Sequence, residues 1–152
     1  MPLFLPTAPL PSFGRLAPRA QLELLRNRAA ASVDGKLLYG TALQRLSRPL
    51  SARRVFSSAA RQAPEDVEAQ VADAVGRFDK SRPAAAFSRL GPLTRRFPGR
   101  ATVRFHLGVL LLWSGEIREA KRQLSLARTA EPGSPLAREA RRYLDELHAA
   151  GL

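Results

Sequence analysis

The chain has 152 residues, with 25 Lys and Arg against 13 Asp and Glu, which gives a formal net charge of +12. It has no cysteine, which excludes disulfides, thiolate metal sites and thiol catalysis, and it is long enough to bury one sizeable core. A basic charge of this size suits phosphates or acidic partners, but an Ala- and Arg-rich composition alone also produces it.

The first 14 residues, MPLFLPTAPLPSFG, form a predicted flexible tail that is rich in proline. The tail is apolar, yet it lacks a basic start and contains four prolines, so it does not match a secretory leader. A cytoplasmic location is therefore expected. The first 32 residues carry four arginines and one acid, which is also typical of an organelle transit peptide, and this alternative stays open. A leading helix is predicted over 15–32.

The middle of the chain repeats with a period of 34 residues, in three windows at 33–66, 67–100 and 101–134. Five triplets and one pair of residues keep this interval. They are Pro64, Pro98 and Pro132; Ala52, Ala86 and Ala120; Phe56, Leu90 and Leu124; Ala59, Leu93 and Ala127; Gly40, Ala74 and Gly108; and Pro49 with Pro83. So many sets in one register indicate a genuine structural repeat.

Each window can hold two helices of about 12 residues with a short break between them. In the third window the helical stretches are TVRFHLGVLLLW and IREAKRQLSLARTA, and Gly115 supplies the turn between them. Gly108 is predicted to let these two helices approach closely, because Ala120 leaves a gap on the facing helix and Leu124 fills the space beside it. One helix pair cannot bury its own apolar face, so stacked pairs are expected.

This pattern resembles the tetratricopeptide repeat family. The third window matches best, and the first matches well. The matching residues are Leu107, Gly108, Leu111, Gly115, Glu116, Glu119, Ala120, Leu124, Ala127 and Pro132 in the third window, and Tyr39, Gly40, Leu43, Ala52, Phe56, Ala59 and Pro64 in the first. The second window departs in its first helix, where Asp73 and Arg77 take apolar positions. The resemblance implies an all-α, right-handed solenoid of antiparallel helix pairs over 33–134, closed by a capping helix over 135–152.

The sequence contains no arrangement typical of an enzyme. Its two histidines, His106 and His148, belong to no HExxH motif, and phosphate-loop, dinucleotide-binding and Gly-x-Ser-x-Gly motifs are missing. Four acids near predicted helix boundaries are expected to act at helix ends: Glu65, Asp66, Glu68 and Glu131. We predict no catalytic residue, no cofactor and no metal.

The resemblance implies that a protein or peptide binds on the concave surface, which the first helix of each repeat lines. The residues predicted there are Leu37, Thr41, Val71, Val75, Phe78, Phe105, Val109, Leu112 and Trp113. Other residues on the same predicted face are Asp34, Gln44, Arg45 and Thr102. If the first helix of the second window is shifted by one residue, Ala69, Ala72 and Gly76 replace Val71, Val75 and Phe78 on this face. Because burial of one large apolar side chain is worth about 1.5–3 kcal/mol, this surface favours an apolar or aromatic anchor on the ligand. The alternative is that these residues pack against the neighbouring helices.

The expected function is therefore a non-catalytic scaffold for protein–protein interaction. The tail itself is a candidate occupant of the concave groove, because it carries Phe4 and several leucines.

Two alternative functions remain. The second helices carry Arg53, Arg54, Arg61, Arg89, Arg95, Arg96, Lys121, Arg122 and Arg128, which would form a basic convex surface for a nucleic acid or an anionic surface. Aromatic residues for base stacking are few on these helices, which weakens this reading. The third possibility is an accessory subunit of a larger enzyme complex. No membrane span is predicted, because the longest apolar run has nine residues, 105–113, and a span needs about 20.

Overall fold

The computed structural model describes residues 1–9 and 11–152, and in these ranges it contains eight α-helices and no strand. In chain order the helices are α1 (Pro18–Ala31), α2 (Val33–Arg45), α3 (Pro49–Gln62), α4 (Val67–Gly76), α5 (Ala84–Arg96), α6 (Ala101–Trp113), α7 (Ile117–Ala130) and α8 (Pro135–Ala149). The all-α prediction is confirmed. Within the described ranges, no helix is both long and apolar enough to cross a membrane.

The chain forms two compact units. The N-terminal unit is Leu3–Gly76, and the C-terminal unit is Arg77–Leu152 together with Met1–Pro2. In the N-terminal unit α1 packs on α2, α2 on α3, and α3 on α4, while α2 also contacts α4. In the C-terminal unit α5 packs on α6, α6 on α7, and α7 on α8, while α6 also contacts α8. In both units, helices that are neighbours in sequence are neighbours in space.

Short polar side chains begin several of these helices. The Ser32 hydroxyl accepts the amide hydrogen of Gly35 at 2.9 Å, and the Ser134 hydroxyl accepts that of Ala137 at 3.1 Å. Glu131, just after α7, accepts the amide of Ala101 at 2.8 Å, so it acts at the start of α6 and not at the boundary of its own helix. The predicted turn glycine, Gly115, has a φ of +84°, which a side chain would make costly.

Three of the recurring triplets form the buried side of the second helices. All nine residues of three triplets are buried: Ala52, Ala86, Ala120, Phe56, Leu90, Leu124, Ala59, Leu93 and Ala127. In the third window, a Cβ at Gly108 would lie 2.8 Å from Cγ of Leu124 and 3.3 Å from the carbonyl oxygen of Ala120. The predicted close approach of these two helices is therefore confirmed.

Phe56 of α3 is the packing centre of the N-terminal unit. Its side chain is fully buried, and a Cβ at Gly40 of α2 would lie 2.3 Å from its Cε1 atom. A Cβ at Gly76, the last residue of α4, would lie 3.0 Å from its Cδ2 atom. Glycine on both flanking helices thus lets the Phe56 ring lie against their backbones.

Gly40→Ala should lower the free energy of unfolding by up to about 2 kcal/mol. Overpacking against a buried ring costs about 1–3 kcal/mol, and the better helix propensity of alanine offsets about 1 kcal/mol of that cost. The measurement is urea unfolding followed by circular dichroism.

The control for this prediction is a double-mutant cycle with Phe56→Leu. The smaller leucine leaves room for the added Cβ, so Gly40→Ala should cost less stability in the Phe56→Leu chain than in the wild type. A Gly40→Ala chain that is more stable than the wild type would contradict the close packing seen here.

Candidate functional site

Residues 3–9, here called the tail segment, are held against the N-terminal unit by two main-chain hydrogen bonds. The amide of Phe4 donates to Oε1 of Gln44 on α2 at 2.8 Å, and the amide of Thr7 donates to Oε1 of Glu68 on α4 at 2.9 Å. The Phe4 side chain is fully buried, and its ring meets that of Phe56 edge-on, with 5.5 Å between the ring centroids. Part of the predicted flexible tail is thus a packed element of this unit.

The tail segment lies on the helix faces that were predicted to line the groove. Leu37, Thr41 and Gln44 are spaced three and four residues apart, so they share one face of α2. Both Leu37 and Thr41 are buried, and the Thr41 hydroxyl donates to the carbonyl of Leu37 at 2.9 Å. The bond from the Phe4 amide to Gln44 brings the tail segment to this face of α2.

The same spacing relates the tail segment to α4. Glu68, Val71 and Val75 share one face of that helix, and all three side chains are buried. Asp73 is also buried, and the hydroxyl of Ser57 on α3 donates to its carboxylate. A polar residue at this position of α4 is therefore satisfied by the neighbouring helix, which explains how the second window departs from an apolar pattern.

Gln44 and Glu68 are acceptors that recognise the main chain of the tail segment. Both side chains are buried, and burial of polar atoms is favourable only when they are hydrogen-bonded. An amide hydrogen is present on every residue except proline, so these two bonds fix the position of an extended segment with little regard to its side chains. The one side chain of the segment that is fully buried is that of Phe4.

Phe78 was predicted on the first helix of the second window, but α4 ends at Gly76 and Phe78 lies beyond it. Its ring is partly buried and meets Phe87 of α5 edge-on, with the centroids 6.5 Å apart. Phe78 therefore packs within the C-terminal unit and not on a helix face shared with Val71 and Val75.

The other predicted residues of the C-terminal unit differ in exposure. Phe105 and Val109 of α6 are buried, and the Phe105 ring meets Tyr143 of α8 at 5.7 Å. The capping helix thus packs against Phe105. Leu112 is partly buried, and Trp113, at the end of α6, is 43% exposed. In this unit, Trp113 offers the largest exposed aromatic surface among the predicted residues.

His106 is a buried histidine of α6. Its Nδ1 atom lies 2.7 Å from the carbonyl oxygen of Thr102, one turn earlier. Burial lowers the pKa of His106 to about 4, although the hydrogen bond to Thr102 acts in the opposite direction. The imidazole is therefore neutral at pH 7. Among the residues that the structure describes, no three His, Asp or Glu side chains cluster as metal ligands would.

The basic residues of the second helices are mostly exposed, as a charged outer surface requires. Exposed arginines lie on α3 (Arg53, Arg54 and Arg61), on α5 (Arg89, Arg95 and Arg96) and on α7 (Arg122 and Arg128). The aromatic residues of these helices do not alternate with them as free stacking platforms. Phe56 is fully buried, and Phe87 is partly buried against Phe78. This arrangement fits a solvated face better than a surface that stacks on bases.

The role of Glu68 differs from its sequence-based interpretation. An acid in the first turn of a helix is expected to interact with the helix end, and Asp66 does so by accepting the amide of Ala69 at 2.9 Å. Glu68 instead accepts an amide from the tail segment, 61 residues earlier in the chain. No feature within the 34-residue period could reveal this contact, because its donor lies outside the repeats.

Each unit thus defines the same class of protein, an all-α chain whose helices pack in sequence order. In the N-terminal unit the non-helical tail segment is hydrogen-bonded to two of these helices. Comparison with models of protein families, with curated proteins and with solved structures gives no match to this chain.

Proposed function

We propose that this chain is a non-catalytic scaffold that binds a segment of another protein on the faces of its first helices. In this proposal the helix pairs are tetratricopeptide-like and stack with a right-handed twist. The observation that carries the proposal is the docked tail segment. Its amides bond to Gln44 and Glu68 and its phenylalanine is buried on Phe56, which is how an extended ligand is held.

The chemistry of this site suits a protein ligand in an extended conformation. Acceptors for main-chain amides give affinity for any such segment, and a pocket for one side chain gives selectivity. The proposal favours an aromatic side chain in that pocket, because aromatic pairs that meet edge-on are stabilised beyond the effect of their buried area.

A second contact is proposed on the C-terminal unit at Trp113 and Leu112. Tryptophan is enriched at the residues that dominate binding energy in protein interfaces, and Trp113 presents a large exposed ring. Three helix pairs offer a small surface, so we expect modest affinity for a single short segment.

Selection from a library of random 12-residue peptides tests this function. The full-length Phe4→Ala chain is immobilised for the selection, because the Phe4 ring of the wild type occupies the site. The affinities of the selected peptides are then measured by calorimetry. We expect Gln44→Ala and Glu68→Ala to weaken binding at least about tenfold, since each removes a buried hydrogen bond. Arg53→Ala and Arg61→Ala, on exposed positions of α3, are the matched controls and should leave the affinity unchanged.

The same measurement separates this function from nucleic-acid binding. Binding to phosphates weakens steeply as salt rises, with a slope set by the number of contacts, whereas burial of an apolar segment does not. A synthetic 20-mer of DNA or RNA that binds more tightly than every selected peptide, and loses affinity on Arg95→Glu/Arg96→Glu, would overturn the proposal.

A further inference from the structure

We infer that the tail segment is a built-in ligand, which occupies the site of the N-terminal unit until an extended segment of a partner protein displaces it. This inference rests on the proposed function and names its ligand class. The partner segment carries an aromatic residue, has a free amide on that residue and on the third residue after it, and is uncharged in between.

The spacing of the two main-chain bonds defines this register. Phe4 and Thr7 are three residues apart, so their amides are separated by about 10 Å in an extended chain. Packed helices lie about 8–10 Å apart, which matches acceptors placed on α2 and α4. A helical ligand would advance only about 5 Å over three residues and would not reach both Gln44 and Glu68.

Proline keeps the tail segment in this conformation. Pro6 lies between the two bonded residues, has no amide hydrogen to satisfy, and restricts Leu5 to extended backbone. The chain bends at Thr7 and Ala8, so the part of the segment between the two bonds ends at Thr7. A segment held extended before it binds loses less conformational entropy on binding, so the tail segment is well suited to be a ligand.

The residues beneath the Phe4 ring explain why the ligand carries an aromatic residue at this position. Phe4 is fully buried against the edge of Phe56, whose ring lies beside Gly40 and Gly76. A polar side chain there would lose its hydration without an acceptor or donor from the Phe56 ring. The buried carboxylate of Glu68 disfavours an acidic ligand residue beside it, and residues 2–9 have no charged side chain.

The tail segment is connected to α1 through residues 11–17, which are not helical. A short connection keeps it at an effective concentration in the millimolar range, so it outcompetes a weak free ligand. The apparent affinity for that ligand is its intrinsic affinity multiplied by the fraction of sites that the tail segment leaves open. The tail segment therefore sets an affinity threshold that a partner must exceed.

The probe that tests this inference is a synthetic peptide of residues 1–11, MPLFLPTAPLP, labelled at its carboxyl end. Fluorescence anisotropy gives its affinity for the full-length wild type and for the full-length Phe4→Ala chain. We expect binding to Phe4→Ala to be at least about tenfold tighter, because its own tail no longer competes. Ser12→Ala is the matched control, since Ser12 is exposed and lies outside the tail segment, and it should behave like the wild type.

A second measurement needs no variant. Hydrogen exchange on the wild-type chain should show faster exchange of the amides in residues 3–9 when excess peptide is added, because the released segment becomes solvated. A peptide with alanine in place of Phe4 should not cause this change. This exchange measurement therefore tests the inference even if Phe4→Ala disturbs folding.

The outcomes distinguish this inference from the proposed function. Equal affinity for the wild type and Phe4→Ala, with no change in exchange, would overturn the role of the tail segment and leave the scaffold function standing. A wild-type dimer that Phe4→Ala abolishes would also overturn it, since the tail would then belong to a second copy. Selected library peptides that bind at Gln44 while the tail peptide does not would overturn the ligand class alone.

Discussion

Phe56→Ala should lower the free energy of unfolding by about 3–5 kcal/mol and should also release the tail segment. Phe56 is fully buried, lies against backbone at Gly40 and Gly76, and meets the ring of Phe4. Its removal leaves a cavity beneath Phe4, and glycine on both flanking helices supplies no side chain to fill it. The first effect is measured by urea unfolding, and the second by hydrogen exchange of residues 3–9.

The matched control is Leu50→Ala on the same helix. Leu50 is 71% exposed, so its truncation should change stability by no more than about 0.5 kcal/mol. A cost below about 1 kcal/mol for Phe56→Ala would show that Phe56 is not the packing centre of the N-terminal unit. If Phe56→Ala lowers the free energy of unfolding by about 3–5 kcal/mol but does not release the tail segment, the Phe4–Phe56 contact does not hold that segment.

The contact predicted for Gly108 in the third window has a counterpart in the first window, because the glycine and the large apolar residue keep the same spacing in both. Gly40 lies against Phe56, and two periods later Gly108 lies against Leu124. Such contacts join residues within one window, and spacing in the sequence is enough to find them. In the third window the helices end at Trp113 and Ala130 as the sequence predicts, since Gly115 and Pro132 mark the breaks after them.

Spacing alone predicted the wrong end for α4. Val71, Val75 and Phe78 are spaced as one apolar stripe, which favours a helix through Phe78. The helix ends at Gly76 instead. Beyond it, Asp79 accepts hydrogen bonds from the amide of Ser81 at 2.9 Å and from its hydroxyl at 2.7 Å, and these bonds lower the pKa of Asp79. Local bonds of this kind favour a turn over a helix.

The predicted site could not be separated from the core by sequence. A face that binds an apolar ligand and a face that packs on another helix both require apolar residues. Phe105 meets Tyr143 of the capping helix, whereas α2 and α4 are hydrogen-bonded to the tail segment. What covers a face depends on chain connectivity outside the repeat, so only coordinates distinguish these two cases.

Acidification should destabilise the fold through His106. The pKa of this residue is about 4 in the folded chain and about 6.5 when it is solvated, so between these values the unfolded chain binds the proton more tightly. Stability is therefore fully retained above pH 6.5 and decreases as pH falls toward 4. Between pH 7.5 and pH 5 we expect a loss of about 2 kcal/mol, seen as a lower urea midpoint.

His106→Leu should remove most of this pH dependence. Two periods earlier the chain has a buried leucine, Leu38, so an apolar side chain of this size suits the position. His148→Gln is the control, because His148 lies exposed near the end of α8 and its loss should leave the slope unchanged. The change in stability between the two pH values does not depend on any loss of stability that the substitution causes equally at both. A His106→Leu chain that keeps the wild-type difference between pH 7.5 and pH 5 would assign the effect to the carboxylates instead of the buried imidazole.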